Sequence, residues 1–141
     1  IIVESIGDLL SLRENGHYNS LVSFGLDISS KLATSLVSMT LKNIIIAFNN
    51  DEESKENRGA EACFKNFLKL LGIFSPSRIK ICLPLKNDFG DMNKEEFSKW
   101  EAKLENCINS DQLPKIKDAC EKLRDSRKIK ASLIKKIKLI K

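Results

Sequence analysis

Seven of the chain's 19 carboxylates fall, together with Asn49, in three groups, each just after a short apolar run. Glu4 and Asp8 follow Ile1-Ile2-Val3; Asn49, Asp51, Glu52 and Glu53 follow Ile44-Ile45-Ile46-Ala47-Phe48; Asp88 and Asp91 follow residues 79–83 and Pro84. Any one of these acids alone would serve as a solvated loop cap. Brought to one place they would repel each other, and a hard divalent cation that takes oxygen ligands, Mg²⁺ first and Mn²⁺ second, would relieve that repulsion. A metal so held suits phosphoryl transfer, because it binds phosphate oxygens, activates a hydroxyl and stabilises the leaving group.

Other chemistries find less support. The chain has no G-x-x-x-x-G-K-[ST] phosphate loop and no G-x-G-x-x-G after a strand. A Ser-His-Asp site would have to use His17, the single histidine, and no strand-to-turn nucleophile motif accompanies it. Cys63, Cys82, Cys107 and Cys120 form no C-x-x-C pair, which argues against zinc and for small buried thiols in a reducing cytoplasm.

Gathering acids from three strand ends requires a parallel sheet, where the working edge lies outside the carboxyl ends of the strands. The apolar pattern supplies one. Ile1-Ile2-Val3 reads as a strand, and Ile6, Leu9 and Leu10 as the face of a helix stopped by Gly16. Residues 20–24 read as a second strand, ended by Gly25. Asp27 or Ser29 then caps a helix burying Leu32, Leu36 and Val37. The run at 44–48 lacks polar alternation, as in a strand buried on both faces. Ala60, Cys63, Phe64, Phe67, Leu68 and Leu71 trace a third helix ended by Gly72, residues 75–77 a loop, and residues 79–83 a fourth strand.

Asn93 caps a helix with Phe97, Trp100, Leu104 and Cys107, and Pro114 opens a further stretch with Leu113, Ile116, Cys120 and Leu123. The expected order is βαβαβαβ followed by helices. This is an α/β, Rossmann-like four-stranded parallel sheet flanked by helices, with a helical carboxyl-terminal extension.

At 141 residues the chain suits one compact α/β domain. No apolar run approaches the roughly 20 residues that span a bilayer. The opening residues do not read as a signal peptide but as a strand entered midway, so a longer parent protein is expected. Charge is unevenly spread. Of the net +5, residues 112–141 contribute 11 Lys/Arg against 3 Asp/Glu, leaving the remainder acidic. An acidic body with a basic tail fits a metal site in the body and a polyanion near the tail, although a solvated helix face would look the same.

Three segments resemble the Toprim class, and within it the DNA primases of phages and bacteria. Ile2-Val3-Glu4-Ser5-Ile6-Gly7-Asp8 is similar to its first motif, a glutamate after the first strand with an aspartate four residues on. Ile46-Ala47-Phe48-Asn49-Asn50-Asp51 followed by Arg58-Gly59-Ala60 is similar to its Asp-x-Asp motif and glycine. Leu83-Pro84-Leu85-Lys86-Asn87-Asp88-Phe89-Gly90-Asp91-Met92 resembles the acidic pair that follows a Leu-Pro strand end in primases. Residues 19–26, with Phe24-Gly25, look like the second strand and glycine turn of phage primase-like proteins.

The resemblance covers residues 1–110 as a Toprim-like catalytic domain and leaves 111–141 as a basic helical extension. It implies Mg²⁺-dependent nucleotidyl transfer that joins ribonucleotides into RNA primers on a single-stranded DNA template. Glu4 would be the general acid/base and Asp51 a main metal ligand. Asp8, Asp88 and Asp91 would support further metal or nucleotide phosphate. Asn49 stands where the class has an aspartate; its amide oxygen can ligate but brings no charge, so metal affinity should fall. The glycine also comes late, since residues 52–58 look inserted.

The class adds a zinc module and a template-holding subdomain, expected elsewhere in a longer chain, and the resemblance implies a replicative helicase as a partner and a bacterial or phage-infected cytoplasm as the location. A Toprim-type nuclease, a non-catalytic nucleic-acid-binding Toprim module and a generic α/β domain without metal are the rivals. In the tail, Ile129, Leu133, Ile134, Ile137 and Ile140 share one helical face. Lys128, Lys130, Lys135, Lys136 and Lys138 would meet nucleic-acid phosphates. An interdomain helix is the next reading. A membrane-surface helix is disfavoured because the tail has no Trp or Phe to anchor it.

Overall fold

The computed structural model describes residues 1–106 apart from Glu52 and Lys55. The basic extension at 111–141, with its five candidate lysines, and the helical face from Leu113 to Leu123 lie outside the described residues.

Four strands form one all-parallel sheet: β1 (Ile2–Val3), β2 (Leu21–Val22), β3 (Ile44–Ile46) and β4 (Ile79–Ile81), in the order β2-β1-β3-β4. Register pairs Ile2 with Leu21 and with Ile46, and Ile44 with Ile79. Four helices alternate with and follow the strands: α1 (Ile6–Glu14), α2 (Ser30–Ser38), α3 (Arg58–Leu70) and α4 (Lys94–Asn106). The expected α/β class and βαβαβαβ order are therefore present. Among the described residues, no helix is long and apolar enough to cross a membrane.

The period-two alternation of side chains along a strand sorts the core into two layers. Ile2, Ile44, Ile46 and Ile79 face α2 and α3, where they pack with Ala33, Leu36, Cys63, Phe64, Phe67 and Leu70. Val3, Ala47 and Cys82 belong to the other layer, with Leu12 of α1 and with Phe97 and Trp100 of α4. Both faces of the short strands are thus covered, which explains why β3 shows no polar alternation.

The local signals act mostly where the sequence places them. Ser29 caps α2 by accepting from the Leu32 N–H at 3.1 Å. Asn93 and Glu96 form a reciprocal capping box at the start of α4, with bonds of 3.0 and 2.9 Å. The Asn93 N–H, first among its influences, also holds the Glu96 carboxyl below the usual range.

Three readings are corrected. Of the expected α1 face only Leu9 packs against the core: Ile6 and Leu10 are each 55% exposed, while Leu12 and Asp8 are buried. The Ser5–Asp8 box turns the Asp8–Leu12 row, one helical turn apart, toward the sheet. In α2 Leu36 is buried and Leu32 packs against the core as expected, but Val37 is exposed and Ala33 is buried instead. Pro76–Arg78, read as loop, forms a single 3-10 turn leading into β4. The strands are also shorter than their apolar runs. Phe48 stays fully buried beyond the last ladder pair of β3, so burial there outruns hydrogen bonding.

Candidate active site at the strand exits

The chain passes from β1 through α1 to β2 on one side, then returns through α2 to β3 on the other side of β1. The direction of winding reverses between β1 and β3, and the crevice outside the carboxyl ends of two such strands is where open α/β sheets place ligands. Glu4 is the first residue after β1, and Asn49, Asn50 and Asp51 follow β3. Glu4 and Asp51 therefore emerge at the reversal point, whereas Asp88 and Asp91 follow the edge strand β4.

Glu4 is half-buried. Burial, then the Asp51 and Asp8 carboxylates, push its pKa above the usual carboxylate range; Arg58 and the Asn49 backbone N–H partly oppose this. A raised folded-state pKa means that the Glu4 proton stabilises the fold. That contribution is fully present below the unfolded pKa and lost as pH rises through the folded one. Glu4→Gln, which stays neutral, is therefore expected to melt above the wild type at pH 7 in chelator. The two curves should converge in acid as Glu4 protonates. Thermal melts across a pH series check this, and a Gln variant less stable at pH 7 would contradict it.

Asp51 is tied to α3. Its Oδ2 accepts from the Gly59 N–H at 3.0 Å, placing the carboxylate on the positive end of the helix. Asn57 caps the same helix: its Oδ1 accepts from Ala60 N–H at 2.9 Å and from Asp51 N–H at 3.2 Å, and its Nδ2 donates to Asn50 Oδ1 at 2.8 Å. Asn50 then reaches the third loop, with Nδ2 donating to Pro84 O at 3.2 Å and N–H to Asn87 O at 2.7 Å. Gly59 permits the assembly, because its helix turn sits against the Asn49 backbone and a Cβ there would lie 1.8 Å from Asn49 O.

Asp8 is buried and occupied. Its Oδ2 accepts from Ser5 N–H at 3.2 Å and from Ser5 Oγ at 2.6 Å, and its Oδ1 accepts from Phe89 N–H at 3.2 Å. It thus fastens the Asp88-Phe89-Gly90-Asp91 loop to the start of α1. Phe89 anchors the same loop, packed edge-on to Trp100 at 4.9 Å and tilted against Phe97 at 5.9 Å. Asp88 Oδ1 accepts from Asp91 N–H at 3.0 Å, and Asp91 is exposed.

The six oxygen donors expected from sequence are therefore not equivalent. Glu4 and Asp51 act on each other electrostatically, Asp8 holds two loops together, and Asp88 shapes its own turn. Asn49 Oδ1 is buried without a hydrogen-bond partner. Among the described residues, no three His, Cys, Asp or Glu side chains gather where they could hold an ion. Mg²⁺ does not need such a cage: it keeps several waters and commonly takes one or two carboxylates plus substrate phosphates. The Glu4 and Asp51 carboxylates, which repel each other, fit that sparse mode, and Asn49, two residues before Asp51, carries the unsatisfied amide oxygen.

The sequence reading gives no role to Asn50 or Asn57, and Arg58 and Gly59 enter it only as part of the resembled second motif. The Asn57-Arg58-Gly59-Ala60 run was a helix-start signal of cap plus small residue. Cys63 and Cys82 are buried and outside any disulfide. Burial pushes the Cys63 thiol up to about 12, which makes it inert as a nucleophile.

Comparison with family models, curated proteins and solved structures gave no match to this chain.

Proposed function

We propose that this chain is a Toprim-like phosphoryl-transfer module, and that it serves as the catalytic part of a DNA primase. The observation that carries the reading is the exit of Glu4 and Asp51 from the two adjacent central strands between which the winding of the sheet reverses. Glu4 and Asp51 would hold Mg²⁺, with Asn49 Oδ1 as a neutral donor and water or phosphate completing the set. The metal, when bound, would neutralise charge developing on phosphate oxygens.

The remaining work falls to the chain's own groups. Glu4, at the exit of β1, would hold the metal through one carboxylate oxygen and take a proton from an attacking hydroxyl through the other. Asp51, held on the first turn of α3, keeps its carboxylate at a fixed place without reorganisation. Arg58, exposed at the first residue of α3, offers positive charge to a phosphate beside Glu4. Asp8 positions the third loop through Phe89.

The neutral Asn49 favours a second reading, a non-catalytic nucleic-acid-binding module. Incubation with labelled ribonucleotides, single-stranded DNA and Mg²⁺ separates the readings. The primase reading expects short RNA products that vanish in Glu4→Gln. Shortening of the DNA without ribonucleotides supports a nuclease instead. Metal-independent DNA binding with neither product supports the binding module.

A further inference from the structure

We propose that Phe24 is a stacking platform for a nucleobase, set at the sheet edge beside Glu4; the proposal rests on reading that edge as a phosphoryl-transfer site. Phe24 follows β2 at the same carboxyl edge from which Glu4 emerges one strand away. It is 79% exposed, the highest value among the exposed large hydrophobic residues, so its ring adds almost nothing to the core. Its φ of 58° lies in the left-handed region and is the only positive φ of a non-glycine among the described residues. A bulky side chain is disfavoured there, and Gly or Asn would occupy the position with less strain.

The turn that holds Phe24 is clamped rather than loose. Ser23 N–H donates to Val3 O at 2.9 Å, Ser23 Oγ reaches Val3 O at 3.0 Å and Gly25 O at 2.6 Å, and Gly25 N–H donates to Glu4 O at 3.2 Å. The residues on both sides of Phe24 are therefore bonded to the backbone at the exit of β1. The fold accepts strain and exposed apolar surface to hold the Phe24 backbone at the exit of β1, from which Glu4 also emerges. A nucleotide presents two chemistries a short distance apart, a charged phosphate and a flat apolar base. The acids with their metal answer the first and the ring answers the second. Stacking on an aromatic side chain tolerates every base, as a template-directed enzyme requires.

Phe24→Trp tests this directly, because the single native tryptophan, Trp100, is fully buried and contributes a constant background. Saturable quenching of the new tryptophan is expected with ATP or with an oligothymidylate, but not with inorganic triphosphate or an abasic deoxyribose-phosphate oligomer. Quenching by ATP alone assigns the ring to the incoming nucleotide, and quenching by the oligomer alone assigns it to the template strand. Phe24→Gly relieves the backbone, so it should fold at least as stably as the wild type. It should also bind the base-containing probe at least about fivefold more weakly and keep the wild-type Mn²⁺ affinity. If Mn²⁺ binds but no probe quenches, or if the abasic oligomer quenches equally, the stacking role is overturned and the metal reading survives. If Mn²⁺ does not bind either, both fall.

Discussion

Gly59→Ala is expected to destabilise the fold by about 3 kcal/mol, the upper part of the range for forced overpacking. The added Cβ would stand 1.8 Å from Asn49 O, 2.7 Å from Asn49 C and 3.1 Å from Asn49 N. All three atoms are backbone, so no side chain can rotate away; either α3 or the exit of β3 must move. The helix-propensity gain of Gly→Ala, about 1 kcal/mol, does not offset a clash of this kind. The displacement also pulls the Gly59 N–H from Asp51 and strains the Asn57 cap. A fall in Tm of roughly 10 °C should accompany the loss, together with weaker metal binding. Gly7→Ala is the control, since its Cβ would meet only Ser5 Oγ, at 3.5 Å. Equal melting of the two variants would show that the close approach at Asn49 does not hold the site.

The elements were legible where one local rule dominated. Ser29 and Asn93 announced their helices, and the unbroken isoleucines of β3 announced a strand covered on both faces. Parallel order then places Glu4 and Asp51 at one edge of the sheet. What stayed hidden depended on partners far apart in the chain. The α1 face was misjudged because Asp8, a charged residue, is buried; its partner Phe89 lies 81 residues away and carries no spacing signal. The Asn50–Asn57 clip joins two loops by side-chain amides, which hydropathy does not register. Phe24 looked like the end of a strand because an apolar residue before glycine usually is one; only its backbone angle and exposure set it apart.

Asp51→Asn should have the largest effect on function with a small effect on the fold. An asparagine oxygen can still accept from Gly59 N–H, so the α3 start keeps its bond and loses only the carboxylate charge. Glu4 would be left as the one charged donor beside a neutral Asn49. The affinity of a hard cation depends strongly on ligand charge, so a loss of at least about tenfold in divalent-metal affinity is expected. Removal of the Asp51 charge also takes away part of what raises the Glu4 pKa, which should move back toward the usual carboxylate range.

The most direct test of the central claim is a Mn²⁺ titration of the wild type and Asp51→Asn, read by water-proton relaxation. A site at the exits of β1 and β3 predicts saturable binding in the wild type that weakens at least about tenfold in the variant, with both proteins melting alike. Equal affinity in the two, or no saturable binding by the wild type into the millimolar range, would contradict it.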